Sequence, residues 1–540
     1  MSRIRKTAVS ICILLLISCC VLHYQTLVRA SGSDLYGNVR RFIEVLNIVR
    51  RYYVDDVSID KLVDGAIRGM LHELDPYSTY IPTEKMASVN ERFEGYFHGV
   101  GIEFVVQNKI PIVVAPIIGG PSERLGIRSG DRILKIDKTE TVNLSEEQIQ
   151  RRLRGKKGSR VVLTLKRPNV VQPFKISLNR ERIPLYSIIC SLLIDEATGY
   201  IRIGQFSKST ADELEDKLCL LEQSGMQQLI LDLRSNTGGF LDQAIAVADK
   251  FLLGNRKIVY TKGRIPNSND IYYSTDIQTH PQYPLIVLVD NGTASAAEIV
   301  AGALQDWDRA LIVGARSFGK ALVQSQIPLQ EGSAVRVTVA RYYTPCGRLI
   351  QASSADDGLY LFKKSGLSAA QSAESQQYKT KGGRTIYGGG GIVPDVHVLS
   401  EDITTFTHSL FLNNLFFEYG SLYAADNAKL AANFQAFKSY FRVTHGMLEE
   451  FQRLIIRRDL DIDKHSFRKD QVFYKKQIKG EIARNLWNSK QYYEVIIEDD
   501  AQIQKSLLLF NEAKKLASLN LYKNKTQSYL WDYSESTKKY

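Results

Sequence analysis

The sequence predicts a multidomain α+β chain with a helical N-terminal segment, a small β module, an α/β core and a helical C-terminal region. Three observations carry this. The 540 residues exceed what one ordinary hydrophobic core encloses. Apolar residues recur at helical spacing near the N terminus, in short strand-like runs from about Gly95, and as strands alternating with helices from about Arg182. An apolar fraction of 44% with 24% charged residues belongs to a folded chain rather than a disordered one.

Residues 1–30 read as a signal peptide or membrane anchor. Arg3, Arg5 and Lys6 precede an almost wholly apolar run from Ala8 to Leu22, which is short for a membrane span. The expected location is therefore the cell envelope, on its periplasmic side. Leu16-Ile17-Ser18-Cys19 has the form of a lipoprotein box with lipidation at Cys19, while Val28-Arg29-Ala30 suits ordinary cleavage. Retention as an uncleaved membrane anchor is the third outcome, and all three stay open. Setting aside Cys12, Cys19 and Cys20 leaves Cys190, Cys219 and Cys346, with no metal-ligand spacing. Buried free thiols are expected, with a Cys190–Cys219 bridge as the alternative, and no metal or other cofactor. The net charge of +12 comes from Lys and Arg scattered among Asp and Glu, without a nucleic-acid motif, so no nucleic-acid partner is expected.

Residues 34–85 form the helical segment. Phe42, Val45, Leu46 and Val49 share one helix face, Leu62, Ile67, Met70, Leu71 and Leu74 another, and Asp75-Pro76 turns the chain. Residues 86–180 form the β module, with strands near 101–106, 111–115, 131–136 and 160–166. A helix over 145–153 starts at a Ser145/Gln148 capping box. Residues 181–400 form the α/β core. Here strands near 200–203, 228–233 and 284–289 alternate with helices, one capped by Thr210 with Glu213 and another beginning near Ser295. The stretch 356–391, rich in Ser, Gln, Lys and Gly, is expected to be a mobile surface excursion. Residues 401–540 read as helical, as over 501–516, and suggest a homodimer contact.

The chemistry centres on Ser295 and Lys320. Ser295 follows an apolar strand and a Gly-containing turn at the start of a helix, where unpaired amides favour developing negative charge. A lysine kept neutral by burial can serve as its base, and Gln324 can orient that amine without recharging it. Gly238 and Gly239, ending a buried strand, can turn backbone N–H groups toward an oxyanion together with Ala296. The histidines lack a triad context.

These motifs, with Tyr52-Tyr53-Val54-Asp55, Leu74-Asp75-Pro76-Tyr77-Ser78, Ala340-Arg341-Tyr342-Tyr343-Thr344-Pro345 and Gly390-Gly391-Ile392-Val393-Pro394-Asp395, resemble the carboxyl-terminal processing peptidases. These are tail-specific Ser-Lys proteases of bacterial envelopes and the chloroplast lumen, and the resemblance spans residues 45–400. It implies an α/β protease core of ClpP/crotonase-like fold, with Ser295 as nucleophile, Lys320 as general base and Gln324 as its orienting partner. It also implies oxyanion donors at Ala296 and at Gly238 or Gly239. Cys346 stands where the family usually has Ser.

His98-Gly99-Val100-Gly101-Ile102 and Leu125-Gly126-Ile127-Arg128-Ser129-Gly130-Asp131 resemble a PDZ domain, in which a Gly-rich turn offers N–H groups to a terminal carboxylate. Gly99, Val100, Gly101 and Ile102 are thus the expected tail-binding residues, with Phe104 and Leu153 beside Ile102. The partners implied are protein substrates with apolar C-terminal tails. The expected function is that of an exported serine endopeptidase. Its rivals are a tail-holding scaffold and an esterase or amidase acting on small molecules.

Overall fold

The computed structural model describes residues 35–518 apart from 108, 118, 169, 278, 353–375 and 400. The leader, the lipidation site at Cys19 and most of the expected mobile excursion lie outside the described residues. The chain divides into two compact units.

The first unit holds the helices Leu35–Tyr52 and Ile59–His72, the latter capped by the Ser58 hydroxyl accepting the Lys61 N–H at 3.4 Å. The short strand Thr79–Ile81 pairs antiparallel with residues 334–336. Asp75 makes the expected turn by accepting the Tyr77 and Ser78 N–H groups at 2.8 and 2.7 Å. The helices are amphipathic, yet the first buries no residue, and the second buries only Leu71. Phe42 is 46% and Met70 62% exposed, so the two stripes are only partly covered among the described residues.

The second unit is built on a six-stranded sheet in the order 188–193, 198–203, 228–232, 285–289, 311–314, 396–397. The first pair is antiparallel and the rest are parallel. All five residues of Leu285–Val289 are fully buried, because both faces of the sheet are covered. Leu285, Val287 and Val289 meet the helices Thr210–Gln223, Leu241–Asp249 and Ala296–Asp306 through Leu218, Val247 and Val300. Ile286 and Leu288 face the other way, where Ile497, Ile503, Phe510 and Ala513 pack on Tyr200 and Ile230. Residues 497–516 therefore belong to the layer of the core sheet.

The helix over 210–223 is not capped by Thr210. Its N-cap is Ser209, and the Thr210 hydroxyl instead accepts the Ser207 N–H at 2.9 Å. Glu213 keeps Oε1 on the N-cap, accepting the Ser209 hydroxyl at 2.6 Å, while its Oε2 accepts the Ser187 and Ile188 N–H groups at 2.7 and 2.9 Å, tying strand to helix. Two hydroxyl residues in succession leave the capping residue undetermined by spacing alone.

The β module has strands in the order 102–107, 110–116, 132–136, 160–166, 174–179, closed by the helix Glu146–Leu153 with its Ser145/Gln148 capping box in place. Ile133, Ile149, Leu163 and Leu165 form its fully buried centre. The helices between 405 and 496 enclose a separate aromatic core around Phe416, Phe451, Phe467 and Tyr474. That bundle touches the β module where Phe417 packs on Ile112 and Val114, and where Gln107 donates to Glu418 at 2.6 Å.

Residues 376–391 are an integral part of the core. They form a hairpin of 377–379 with 385–387, and then a glycine run locked by bonds from the Gly389 and Gly391 N–H groups to Leu349 and Ile350, both 2.8 Å. The composition expected for a mobile loop reflects close backbone contact here: a Cβ on Gly391 would fall 2.3 Å from the Ser317 carbonyl oxygen. Cys190, Cys219 and Cys346 are all free thiols, so the alternative Cys190–Cys219 bridge is absent.

Candidate active site

Two loops at the C-terminal ends of adjacent parallel strands, 228–232 and 285–289, meet to form the site. They are stitched together at three points. The Ser235 N–H donates to Asp290 Oδ1 at 2.7 Å, the Ala294 N–H to the Asn236 carbonyl at 2.8 Å, and the Thr293 hydroxyl to the Leu233 carbonyl at 2.8 Å. Ser295 stands between strand and helix with φ 55° and ψ −117°, a conformation that a side-chain-bearing residue adopts at a cost of about 1–3 kcal/mol. That strain is held in place by the network below it.

Gly238 comes so close to Ser295 that a Cβ there would lie 2.8 Å from the Ser295 Cβ and 2.9 Å from the Ala296 nitrogen, and its φ is 97°. Its own N–H is engaged, donating to Asn236 Oδ1 at 2.8 Å, and Asn236 in turn donates to the Ile203 carbonyl at 2.9 Å. Gly239 is pressed against Phe206, whose carbonyl oxygen would sit 1.9 Å from a Cβ. The loop is thus brought beside Ser295 and Ala296, as expected.

Lys320 ends the turn Ser317–Lys320. The Phe318 N–H donates to the Thr293 carbonyl at 2.9 Å, which anchors this turn to the one before Ser295. A Cβ on Gly319 would lie 2.9 Å from the Gly391 nitrogen, so the glycine run backs the turn. The Lys320 amine donates to Gln324 Oε1 at 3.1 Å, from the strand Leu322–Pro328. Ser295, Lys320 and Gln324 are all half-buried.

Sequence reasoning missed the residues that join these turns. Glu298, on the first turn of the helix Ala296–Asp306 and fully buried, accepts the Ser295 N–H at 2.8 Å and the Lys320 N–H at 2.9 Å, both on Oε2. Its Oε1 takes the Gly319 N–H at 2.7 Å and the Ser317 hydroxyl at 2.6 Å. Burial pushes this carboxyl up to about 7, against the opposing pull of the Ser317, Lys320, Ser295 and Gly319 donors. Tyr342 has its hydroxyl 2.6 Å from the Lys320 carbonyl and 3.1 Å from the Ser295 carbonyl. Burial, then the nearby Glu298, raise this phenol well above its ordinary value, so it stays a donor. The signal for Glu298 was available: an acidic residue three positions after the helix-initial Ser295. His280, in contrast, is a buried histidine held between Glu222 at 2.9 Å and Glu215 at 3.2 Å.

In the β module, Gly101 has φ 72° and Val100 is 2% exposed, its carbonyl accepting the Ser122 hydroxyl at 2.5 Å. Val100, Ile102 and Leu153 are buried in the module's core, and Phe104 packs half-buried against it. The strand Ile102–Gln107 lies at an edge of its sheet. The module joins the core through Phe93, whose ring lies 5.0 Å from that of Phe240, the residue after Gly239.

Residues 197–358 match peptidase family S41, and residues 112–167 match the PDZ domain. Residues 24–85 match the N-terminal domain of the activating protease CtpB, and residues 406–488 a family of unknown function. The carboxy-terminal-processing protease of Bartonella bacilliformis is 36% identical over 352 residues, 64% of this chain and 80% of that one. The carboxy-terminal processing protease CtpA of Bacillus subtilis is 34% identical over 322 residues, 59% of this chain and 68% of that one. The solved photosystem II D1 C-terminal processing protease is 29% identical, with 66% of this chain and 92% of that one covered, at a TM-score of 0.35.

The chain is therefore a serine-type peptidase, built as an N-terminal helical domain, a PDZ domain, an S41 core and a C-terminal helical region. Within that class it belongs to the carboxy-terminal processing proteases.

Proposed function

We propose that this protease cleaves peptide bonds with a Ser295–Lys320 dyad. The neutral Lys320 amine takes the Ser295 proton as the hydroxyl attacks the scissile carbonyl, then passes it to the leaving amine. Water releases the acyl group by the same route in reverse. Gln324 orients the amine as a neutral acceptor, whereas a carboxylate would favour the ammonium and disable the base. Because the Gly238 N–H is engaged by Asn236, the oxyanion donors in this reading are Gly239 and Ala296, with Gly238 providing the close approach. The observation that carries it is the sharing of Glu298 Oε2 by the Ser295 and Lys320 N–H groups, which keeps the two turns in register.

Substrates are protein chains with apolar C-terminal tails. The loop Gly99–Ile102 receives the terminal carboxylate, and the edge strand Ile102–Gln107 pairs with the tail, as the PDZ match supports. The protease acts in the cell envelope, on the periplasmic side, delivered or anchored by residues 1–30, whose charged and apolar pattern supports export. A homodimer is in keeping with the exposed apolar stripe of the helix Leu35–Tyr52.

Ser295→Ala and Lys320→Ala should each abolish cleavage of an unfolded protein with an apolar C terminus, while the PDZ domain still binds the tail peptide. Undiminished turnover in both variants would overturn the dyad.

A further inference from the structure

We infer that Asp500 and Gln502, on the far C-terminal side of the S41 core, are positioning residues for catalysis, because they hold Arg234 and through it the loop that carries Gly238 and Gly239. This rests on the reading that this loop serves the oxyanion formed at Ser295.

The structural basis is a guanidinium gripped along two edges. On one edge, Arg234 Nε lies 3.0 Å from both oxygens of Asp232, and Nη2 lies 2.6 Å from Oδ2. On the other, Nη1 donates to Asp500 Oδ2 at 2.8 Å and to Gln502 Oε1 at 2.8 Å, which uses both of its protons. Asp232, fully buried at the end of its strand, also receives the Tyr200 hydroxyl at 2.6 Å and the Arg234 N–H at 2.9 Å. The Arg234 side chain is only 10% exposed.

Arg234 is where the strand becomes the loop. The next residue, Ser235, has φ 57° and ties to Asp290. Asn236, which follows, is completely buried and holds the Gly238 amide. The loop is moored by Asp290, Thr293, Ala294, Phe206, the Asn236 side chain and the Arg234 guanidinium. Only the last depends on residues outside the matched S41 stretch of 197–358.

Charge balance makes the outer edge matter. Arg202 reaches the Arg234 carbonyl at 3.5 Å and its positive charge acts on the buried Asp232 together with that of Arg234, while Asp500 supplies a second negative charge. Neutralising Asp500 leaves an excess positive charge in a site almost closed to water, which the chain relieves by moving Arg234 outward. Ile497, Ile503 and Phe510, packed on the sheet, keep this end of the chain in place.

The test separates this role from helix capping, because Asp500 Oδ1 also caps the helix Ala501–Leu508 by accepting the Gln502 and Ile503 N–H groups, both at 3.0 Å. Asparagine caps as well as aspartate, so Asp500→Asn removes the ion pair and keeps the cap. In the full chain, kcat on a tail-bearing unfolded protein should fall about tenfold or more, short of the ~10²–10³-fold loss from deleting an oxyanion donor outright. KM and the thermal midpoint should stay near wild type, and Asp500→Glu should recover much of kcat. The proposal is overturned if Asp500→Asn keeps wild-type kcat while Ser295→Ala is inactive, or if its loss of rate only tracks a loss of folded protein. Activity in Ser295→Ala would instead overturn the dyad reading itself.

Discussion

Ser295 and Lys320 hang their main-chain N–H groups from the same carboxylate oxygen of Glu298. The two amide nitrogens therefore lie within two hydrogen-bond lengths of each other, although a helix and a strand separate them in the chain. Tyr342 repeats the arrangement from the carbonyl side. The main chains of Ser295 and Lys320 are thus held on both sides by two buried side chains, Glu298 and Tyr342.

Gln324 gives the Lys320 amine an uncharged acceptor. Gln324→Glu would place a carboxylate where a neutral amide oxygen now stands at 3.1 Å. Opposite charges at that range shift a pKa by about one to three units, here toward the ammonium. The rising limb of the kcat/KM profile should move to higher pH by that amount. An unmoved profile would remove Gln324 from contact with the base.

Glu298 should leave a mark on the pH dependence of stability. Its folded value of about 7 lies above the ordinary 4.5, so between these values the folded state holds more protons than the unfolded state. The stabilising contribution is complete below about pH 4.5 and is lost as pH rises through about 7, an effect of about 3 kcal/mol. Denaturant titrations across that range should show the decline, and Glu298→Gln should abolish it.

Gly238→Ala introduces a methyl group 2.8 Å from the Ser295 Cβ, at a φ that alanine rarely adopts. One of the two loops must shift, so kcat should drop by about 10²-fold or more, the scale of a lost oxyanion donor. Tail binding by the PDZ domain, measured by peptide titration, should be unchanged. A variant with wild-type turnover would show that this close approach is dispensable.

Tyr342→Phe deletes one hydroxyl and leaves the ring. The lost hydrogen bond to the Lys320 carbonyl should cost about 0.5–1.5 kcal/mol in the thermal or chemical unfolding free energy. The turnover number should fall several-fold with little change in KM, because the backbone of the base is held less firmly.

Much of this site can be read along the chain because its parts are local. Ser145 and Gln148 cap their helix as spaced, Leu285–Val289 is the buried strand its composition implies, and Lys320 lies just before the strand that carries Gln324. What escapes the sequence is non-local. Glu298 reads as a helix-starting acid until Ser317, Gly319 and Lys320 fold back onto it. The glycines at 388–391 resemble linker composition, but at Gly391 a side chain would strike Ser317, and Gly319 lies against the Gly390–Gly391 backbone. The stripe of Phe42 and Val45 is amphipathic by period alone, and periodicity does not say whether anything covers the face. Likewise, nothing in the spacing of Ile503 and Phe510 says that they roof the sheet beneath the candidate site.

That roof has a consequence for biogenesis. Ile230, Ile286 and Leu288 lie near the middle of the chain, but their cover on one face is not translated until residues 497–516 emerge. A nascent chain that has already made Ser295 and Lys320 thus has a half-dressed sheet and an Arg234 without Asp500. The core sheet therefore reaches its fully covered state only once that late segment has emerged.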